Sequence, residues 1–340
     1  MRKVIWPQTK KPSESVTGSS GWEAALTNTL NKGDKVLSAR FGQFSHLWIE
    51  MCKKLHIDVE VVDVEWGSGT PHAEFEKILS EDNNHEIKAV LITHNETSTG
   101  VTNDVKATRD LLNKLNHPAL LFVDGVSSIG SIKFEMDAWG VDVAVSGSQK
   151  GFMLPAGLAI SCVSQKALER AKTSNLPRAY FDYHDMLKIN ETGYWPYTNP
   201  MPLLRGLREA LTMMHEEGLD HIYARHLFLA QAVQKASEAW GLKLCAKDPS
   251  LYSNTVTAIM VPEGIDSTDV VKTAYNKYNT SFGGGLSQVA GKLFRIGHLG
   301  DLNSTMILGA ISTAELAMYD VGIKFELGSG VAAAIKHLKV

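Results

Sequence analysis

The sequence predicts an α/β fold with a large domain on a mostly parallel central sheet, residues 1–200, and a smaller C-terminal α+β domain, residues 201–340. Two observations support this prediction. Up to about residue 200, segments with helical spacing of apolar residues alternate with short apolar segments, and strands separated by helices form parallel sheets covered on both faces. Beyond that point, two long helical patterns precede shorter segments of both kinds.

The elements follow in a regular order. A helix containing Trp22, Ala25, Leu26, Thr29 and Leu30 comes first. The large domain then shows a strand at KVLSA, a helix at FSHLWIEMCKKL, a strand at DVEVVDV, a helix at AEFEKILS, a strand at IKAVLITH, a helix at DVKATRDLLNKL, and strands at ALLFVDG, VDVAVSG and GLAISCV. The small domain shows helices at PLLRGLREALTMMHEEG, HIYARHLFLAQAVQKASEAWG and DVVKTAYNKY, and strands at NTVTAIMV and KLFRIGHLG.

Composition and charge favour small-molecule chemistry. With 340 residues, 44% of them hydrophobic, the chain can bury a sizeable core. Its formal charge of -3 gives no net attraction to nucleic acid or anionic lipid, and no apolar run approaches the roughly 20 residues of a membrane helix. Three widely spaced cysteines, Cys52, Cys162 and Cys245, indicate neither a disulfide framework nor a metal site. We therefore expect a reducing compartment and no nucleic-acid or membrane partner.

Polar residues follow three of the predicted strands, at 94–100, 124–128 and 146–150. Ligands of open parallel sheets bind beyond the carboxyl ends of the strands, so these residues are expected to share one rim. Lys150 stands out, because a desolvated ammonium loses its proton readily and then acts as a nucleophile toward carbonyls. The alternative is a solvated lysine in a surface turn. Two features count against a surface lysine: the Ser-Gly-Ser-Gln segment that precedes Lys150, and Asp124 on the same rim.

The stretch LLFVDGVSSIGSIKFEMDAWGVDVAVSGSQKGFMLPAGLAI resembles the core of the class V aminotransferases, which use pyridoxal 5'-phosphate. The motifs WEAALTNTL, GDKVL, FGQFSHLW, HNETSTGVTND, GYWPYTNP, NTVTAIMVP, KLFRIGHLG and GSGVAAA are similar to the serine–glyoxylate and alanine–glyoxylate branch of that family. The similarity runs from about residue 17 almost to the end. It implies the type I fold of pyridoxal-phosphate transferases, with the cofactor in the large domain.

The resemblance implies roles for several rim residues. Lys150 matches the lysine that holds the cofactor covalently and later moves a proton between substrate and cofactor. Asp124 matches the carboxylate that pairs with the pyridine nitrogen and keeps it protonated. Thr97 matches a hydroxyl that bonds near the ring's phenolic oxygen. Phe41 takes the place of an aromatic residue that stacks on the ring, with a core phenylalanine as the alternative.

The resemblance also implies contacts to the cofactor phosphate. In TGSSGWEAAL, Ser19, Ser20 and Gly21 would offer hydroxyls and backbone N–H groups where a loop enters a helix, although plain N-capping uses the same atoms. Gln149 matches another phosphate contact. In the segment YWPYTNP, Tyr197 and Thr198 match residues that reach the phosphate of the neighbouring subunit. A homodimer with shared active sites is therefore expected.

Arg295, in FRIGH, matches the arginine that holds the substrate α-carboxylate, a task suited to a planar, bidentate guanidinium. A structural salt bridge is the alternative for this residue. His298 is interpreted as structural. The glycine run 283–285, in SFGGGL, lacks the helix and lysine of a phosphate loop and is interpreted as a flexible or substrate-gating loop.

The implied reaction is a ping-pong transamination in which serine or alanine gives its amino group to glyoxylate, yielding glycine and hydroxypyruvate or pyruvate. The alternatives are a cysteine desulfurase, or a truncated, inactive or diverged paralogue, since family members carry several dozen residues ahead of the phosphate loop that are lacking here. For a eukaryotic source the resemblance implies a photorespiratory enzyme of the peroxisome, although KHLKV is not a Ser-Lys-Leu address; otherwise the expectation is the cytoplasm.

Overall fold

The computed structural model describes residues 3–5 and 17–339. Within this part of the chain the strands are β1 (Lys3–Ile5), β2 (Lys35–Arg40), β3 (Asp58–Asp63), β4 (Ile87–Thr93), β5 (Asn95–Glu96), β6 (Val101–Thr102), β7 (Leu120–Asp124), β8 (Val143–Gly147), β9 (Ala159–Val163), β10 (Val256–Met260), β11 (Gly283–Gly284) and β12 (Leu293–Gly297). The helices are α1 (Thr17–Thr29), α2 (Gln43–Lys54), α3 (His72–Glu81), α4 (Val105–Lys114), α5 (Gln165–Ala171), α6 (Tyr183–Asn190), α7 (Met201–Glu217), α8 (Leu219–Ala239), α9 (Ser267–Tyr278), α10 (Ser304–Asp320) and α11 (Ser329–Leu338).

The central sheet of the described chain has seven strands in the order β1-β9-β8-β7-β4-β2-β3. The five strands from β8 to β3 are parallel, while β9 runs antiparallel to β8 and β1 runs antiparallel to β9. The predicted α/β class and mostly parallel sheet are therefore confirmed. The central strands β4, β7 and β8 are buried along almost their whole length, which explains why their sequences read as continuous apolar runs.

Helices cover both faces of this sheet. One face carries a core in which Trp22 of α1 stacks on Trp48 of α2, with their ring centroids 5.6 Å apart. The other face carries a second core around Phe75 of α3 and Leu112 of α4. Of the helices in the large domain, the sequence patterns predicted α1 to α4 but not the short helices α5 and α6, whose few turns give little periodic signal.

The C-terminal part has a three-stranded sheet, β10-β12-β11, and a separate core formed with α8, α9, α10 and α11. Helix α7 begins at Met201, next to the predicted domain boundary at residue 200. Buried Glu315 links three elements of this domain: its carboxylate accepts hydrogen bonds from the Trp240 indole N–H, at 2.8 Å, and from the backbone N–H groups of Gly328 and Gly330 at the start of α11. The motif GSGVAAA therefore begins a structural helix here.

No helix in the described ranges combines the length and apolarity needed to cross a bilayer.

Candidate active site

Three neighbouring parallel strands end at the same edge of the central sheet. Thr93, the last residue of β4, pairs with Asp124, the last residue of β7, and Asp124 in turn pairs with Val145 of β8. The segments that leave these strands therefore meet on one rim, as the sequence predicted. The segment after β4 folds into the β5–β6 hairpin, and the segment after β8 leads to Lys150.

Asp124 is a carboxylate held at the rim with only 4% of its surface exposed. The backbone N–H of Val126 donates a hydrogen bond to its Oδ1, at 2.9 Å. The indole N–H of Trp22 lies close enough to lower the carboxyl pKa, but it does not reach hydrogen-bonding geometry with any described residue. Burial, opposed by the Val126 N–H and reinforced by the negative charge of Glu96, raises the pKa of Asp124 to about 7. The positive charge of Lys150 acts on this carboxylate only weakly, and no cation among the described residues forms a salt bridge with it.

Lys150 is half-buried at the end of the turn that follows β8, in which Met153 N–H donates to the Lys150 carbonyl. Its ammonium makes no hydrogen bond or ion pair with the described residues. Burial and the nearby positive charge of Arg295 lower the pKa of Lys150, against a weaker opposing effect of Asp124. A larger fraction of the amine is therefore neutral at physiological pH, as a nucleophilic lysine requires.

Thr97, in the loop of the β5–β6 hairpin, belongs to a hydroxyl and amide network. Its Oγ1 donates to Ser127 Oγ at 2.9 Å, and the Asn95 side chain donates to the same oxygen at 2.8 Å. Thr255, just before β10, donates to the Ser127 carbonyl at 3.0 Å and accepts from Asn95 at 3.1 Å. This network joins the rim to the C-terminal sheet. The sequence motifs contained these residues but gave no signal that they meet.

Arg295 of β12 lies over the rim with its guanidinium held by two backbone carbonyls. Nε donates to the Gly284 carbonyl at 3.0 Å and Nη1 donates to the Thr97 carbonyl at 3.1 Å. Among the described residues no carboxylate forms a salt bridge with Arg295, so the alternative of a structural salt bridge is wrong for this part of the chain. Burial lowers the pKa of the guanidinium, and an arginine nevertheless stays charged.

The glycine run 283–285 is not a loop throughout, contrary to the sequence interpretation. Gly283 and Gly284 form β11, which pairs antiparallel with Arg295 and Phe294 of β12. Ladder hydrogen bonds tie Gly283 and Gly284 to β12, and the Gly284 carbonyl accepts a hydrogen bond from Arg295 Nε, so this part of the run supports Arg295.

The first turn of α1 starts at Thr17, so the predicted phosphate-binding residues lie inside the helix. Ser19 is half-buried and Ser20 is buried, and both lie near the N-terminal end of α1, where the helix dipole favours an anion. The side-chain oxygen Oε1 of Gln149 lies 2.9 Å from the position that a Cβ atom would occupy at Gly147. Its side chain therefore folds back over the end of β8.

Gly21 has a packing role that the sequence interpretation missed. By helical geometry its N–H bonds back to Thr17, so it is not one of the open amides of the first turn. A Cβ at Gly21 would stand 2.4 Å from Val145 Cγ1, and one at Gly18 would stand 2.7 Å from Val126 Cγ2. Both glycines let α1 approach the rim closely.

Phe41, predicted to stack on a ring, is only 1% exposed and packs in the core beneath α3 and α4. The core interpretation therefore fits it better. Three residues on, Phe44 is partly exposed at the start of α2, and its backbone N–H donates to the buried carboxylate of Glu96. Ser45 N–H donates to the same oxygen at 3.0 Å, so Glu96 caps α2, and a Cβ at Gly42 would collide with it at 2.2 Å.

Tyr197 and Thr198 lie in an exposed segment. Tyr197 is 39% exposed, stacks on Tyr180 with centroids 4.5 Å apart, and donates to the Ala179 carbonyl at 3.2 Å. The side chain of Thr198 is exposed as well. Among the described residues, neither of them makes a hydrogen bond or a ring contact with Asp124, Lys150 or Arg295.

Two buried histidines near the rim are structural. His94 Nδ1 lies 2.9 Å from Ser128 Oγ, and burial lowers its pKa to about 4. The ring nitrogens of His298 lie 2.8 Å from Thr257 Oγ1 and 3.0 Å from the Asn254 carbonyl, and burial lowers its pKa to about 4 as well. Both rings are therefore neutral at physiological pH, in agreement with the sequence interpretation of His298.

Comparison with known proteins decides the family. The profile of the Aminotransferase class-V family matches residues 17–287. The chain belongs to the class V aminotransferases. The serine–glyoxylate aminotransferase of Methylorubrum extorquens is 55% identical to it, over 100% of this chain and 88% of the relative. The L-aspartate–glyoxylate aminotransferase of Paracoccus denitrificans is also 55% identical, over 95% and 82%. The crystal structure of pyridoxamine–pyruvate aminotransferase from Mesorhizobium loti superposes with a TM-score of 0.89 at 26% identity, covering 99% and 84%.

The aminotransferase uses pyridoxal phosphate, and the residues of its rim fit that group. A protonated ring nitrogen would supply the cation that Asp124 lacks, and a carbonyl carbon suits the unpaired, desolvated amine of Lys150. The first turn of α1 offers an anion site on the same edge of the sheet. Within residues 3–5 and 17–339, no group of three or more metal-ligating side chains occurs.

The desulfurase alternative is not favoured. That chemistry needs a reactive thiolate, whereas Cys245 is buried and burial raises its pKa to about 11. Its backbone N–H donates to the Ala258 carbonyl, which fixes the segment against β10 rather than leaving it on a mobile loop.

Proposed function

We propose that this aminotransferase moves the amino group of serine, or of alanine, to glyoxylate, so that glycine forms and hydroxypyruvate or pyruvate is released. The observation that carries the proposal is the convergence of Lys150, Asp124 and Arg295 on one rim, in a chain 55% identical to a serine–glyoxylate aminotransferase. Retention of all three groups also favours an active enzyme over an inactive paralogue.

Each residue has a separate task in this proposal. When bound, pyridoxal phosphate supplies a carbonyl that takes up the amine and a ring that accepts the electrons released at the substrate Cα. Lys150 Nζ would move a proton from the substrate Cα to the cofactor in the first half-reaction, and from the cofactor to the Cα of the new amino acid in the second. Asp124 would keep the ring nitrogen protonated, and Thr97 would offer its hydroxyl near the ring's phenolic oxygen. Arg295 orients the α-carboxylate.

The remaining contacts are assigned to the same site. Ser19, Ser20 and Gln149 are proposed to bind the phosphate, with the dipole of α1 behind it. Phe44 is proposed as the aromatic side chain that packs on the ring, because it is partly exposed and its backbone N–H contacts Glu96 in the segment after β4.

The test is spectroscopic. The purified chain is loaded with pyridoxal phosphate, and its long-wavelength absorbance is recorded before and after addition of serine, alanine or aspartate. We expect serine to bleach the band, and glyoxylate to restore it with release of glycine. A preference for aspartate would contradict the proposed donor but leave the transamination standing. Absence of the band, or of bleaching by any donor, would contradict the function itself.

We also propose a homodimer in which Tyr197 and Thr198 complete the phosphate site of the partner subunit. The exposure of this segment supports it, as do the exposed apolar side chains Met201, Leu211 and Met213 on adjacent α7. Sedimentation should give twice 37.2 kDa. Mixing Lys150→Ala with a Tyr197→Ala, Thr198→Ala double variant, each inactive alone, should restore activity through one intact site. A monomer, or no recovery after subunit exchange, would rule out shared sites.

A further inference from the structure

The three glycines of the run 283–285 occupy different environments, and one of them faces Arg295. A Cβ built at Gly283 would stand 3.1 Å from Arg295 Nε and 3.2 Å from both Cζ and Nη2. At Gly284 a Cβ would meet nothing within 4 Å, and at Gly285 it would stand 1.9 Å from the Val289 carbonyl oxygen. The guanidinium therefore lies flat against the backbone at Gly283.

Strand pairing explains this arrangement. Gly283 is the direct antiparallel partner of Arg295, and partners in such a ladder place their side chains on the same face. The partner on the other side is Ala258 of β10, which is also small. Arg295 thus lies between two strands whose facing residues leave room for its side chain to bend over the sheet.

The two carbonyl contacts fix the orientation of the guanidinium and leave its charge available. Arginine has five N–H donors, of which Nε–H goes to the Gly284 carbonyl and one Nη1–H goes to the Thr97 carbonyl. One N–H on Nη1 and both on Nη2 have no acceptor among the described residues. These are the atoms of a bidentate carboxylate contact, and Nη2 is one of the atoms that a side chain at 283 would press.

We propose that Gly283 is a positioning residue: the absence of its side chain sets the plane in which Arg295 presents Nη1 and Nη2 to the substrate carboxylate. This inference rests on the proposed role of Arg295. Neither Gly283 nor Gly284 has a positive φ, so alanine fits the backbone at both positions. The pair Gly283→Ala and Gly284→Ala therefore separates displacement of the guanidinium from any general effect of removing a glycine.

The expected result is a carboxylate-specific loss. Contact at 3.1–3.2 Å requires the guanidinium to yield by a few tenths of an ångström, and we expect Gly283→Ala to raise KM for serine and for glyoxylate about 3- to 10-fold. Gly283→Val should raise it further. The dissociation constant of propionate, measured by calorimetry on the loaded enzyme, should rise in parallel. Gly284→Ala should match the wild type in all three measurements, and thermal melting should be unchanged in both alanine variants.

An amine without a carboxylate distinguishes the possible failures. The slow reaction of 2-aminoethanol with the loaded enzyme should be the same in wild type and Gly283→Ala, because this substrate has no carboxylate for the guanidinium to bind. If Arg295→Gln leaves KM for serine unchanged, the proposed role of Arg295 is wrong. If Arg295→Gln raises KM for serine but Gly283→Ala behaves like Gly284→Ala, Arg295 binds the carboxylate as proposed and the positioning inference for Gly283 is wrong.

Discussion

Replacing Lys150 by alanine is expected to lower the rate of transamination by on the order of 10⁴-fold or more, because one amine both attaches the cofactor and carries the Cα proton. The nearby cation Arg295 does not replace it, because its guanidinium is held by two backbone carbonyls and does not act as a base. Stopped-flow spectra after mixing with serine measure the loss directly. The long-wavelength band of the attached cofactor should be absent before serine is added.

Lys150→Arg is the matched control, since it keeps the positive charge and the length of the side chain but removes the nucleophile. It should be nearly as inactive as Lys150→Ala while keeping the fold, as judged by thermal melting. Steady-state activity within tenfold of wild type in either variant would show that another group moves the proton, and the assignment of Lys150 would then be wrong.

The parts of the site that the sequence predicted correctly are those fixed by the parallel sheet. The apolar runs of β4, β7 and β8 reveal buried strands, and in a parallel sheet all such strands end at the same edge. The residues that follow them, including Asp124 and Lys150, could therefore be placed together without knowledge of any contact. The strand order itself could not be read from periodicity, because it depends on which edges pair.

The features that the sequence patterns misread or did not reveal depend on partners far along the chain. The glycine run 283–285 reads locally as a loop, and only its pairing with β12 shows that it supports Arg295. Glu96 caps a helix that lies about 50 residues earlier in the sequence. Thr255 meets Asn95 across 160 residues. Single-sequence patterns carry no information on such distances, since local periodicity reports burial and not the identity of the neighbour.

The choice between Phe41 and Phe44 illustrates a finer limit. Both residues precede or begin α2, and the resemblance assigned the aromatic role to Phe41. Their exposure differs because α2 begins at Gln43, where the Glu96 carboxylate receives the open N–H groups of the first turn. Phe41 is thereby left in the core at the end of the strand, and Phe44 packs, partly exposed, against the core that contains Trp22 and Trp48.

The second large effect is expected at Asp124. Asp124→Asn removes the buried negative charge that is proposed to hold the ring nitrogen protonated. Breaking a buried charge pair costs about 3–5 kcal/mol, which corresponds to a loss of roughly 10²- to 10⁴-fold in rate. Asp124→Glu, which keeps the charge on a longer side chain, should lose less. Both kcat and the dissociation constant of pyridoxal phosphate, from spectral titration, are to be measured. Equal activity of the Asn and Glu variants would contradict the role of the charge.

The same carboxylate predicts a pH signature in protein prepared without the cofactor. Burial raises the pKa of Asp124 from 3.8 to about 7, so between these values the folded protein holds a proton that the unfolded chain has released. The free energy of unfolding therefore falls as pH rises through this window, by up to about 4 kcal/mol. Below the window Asp124 is protonated in both the folded and the unfolded protein, so this loss of stability is absent. Asp124→Asn has no such group. In urea unfolding, the stability of the variant relative to wild type should rise between pH 5 and pH 8. Bound pyridoxal phosphate should remove this difference, because its ring nitrogen would pair with the ionised carboxylate of the wild type. Parallel stability curves for the two proteins would show that Asp124 is already ionised through another partner.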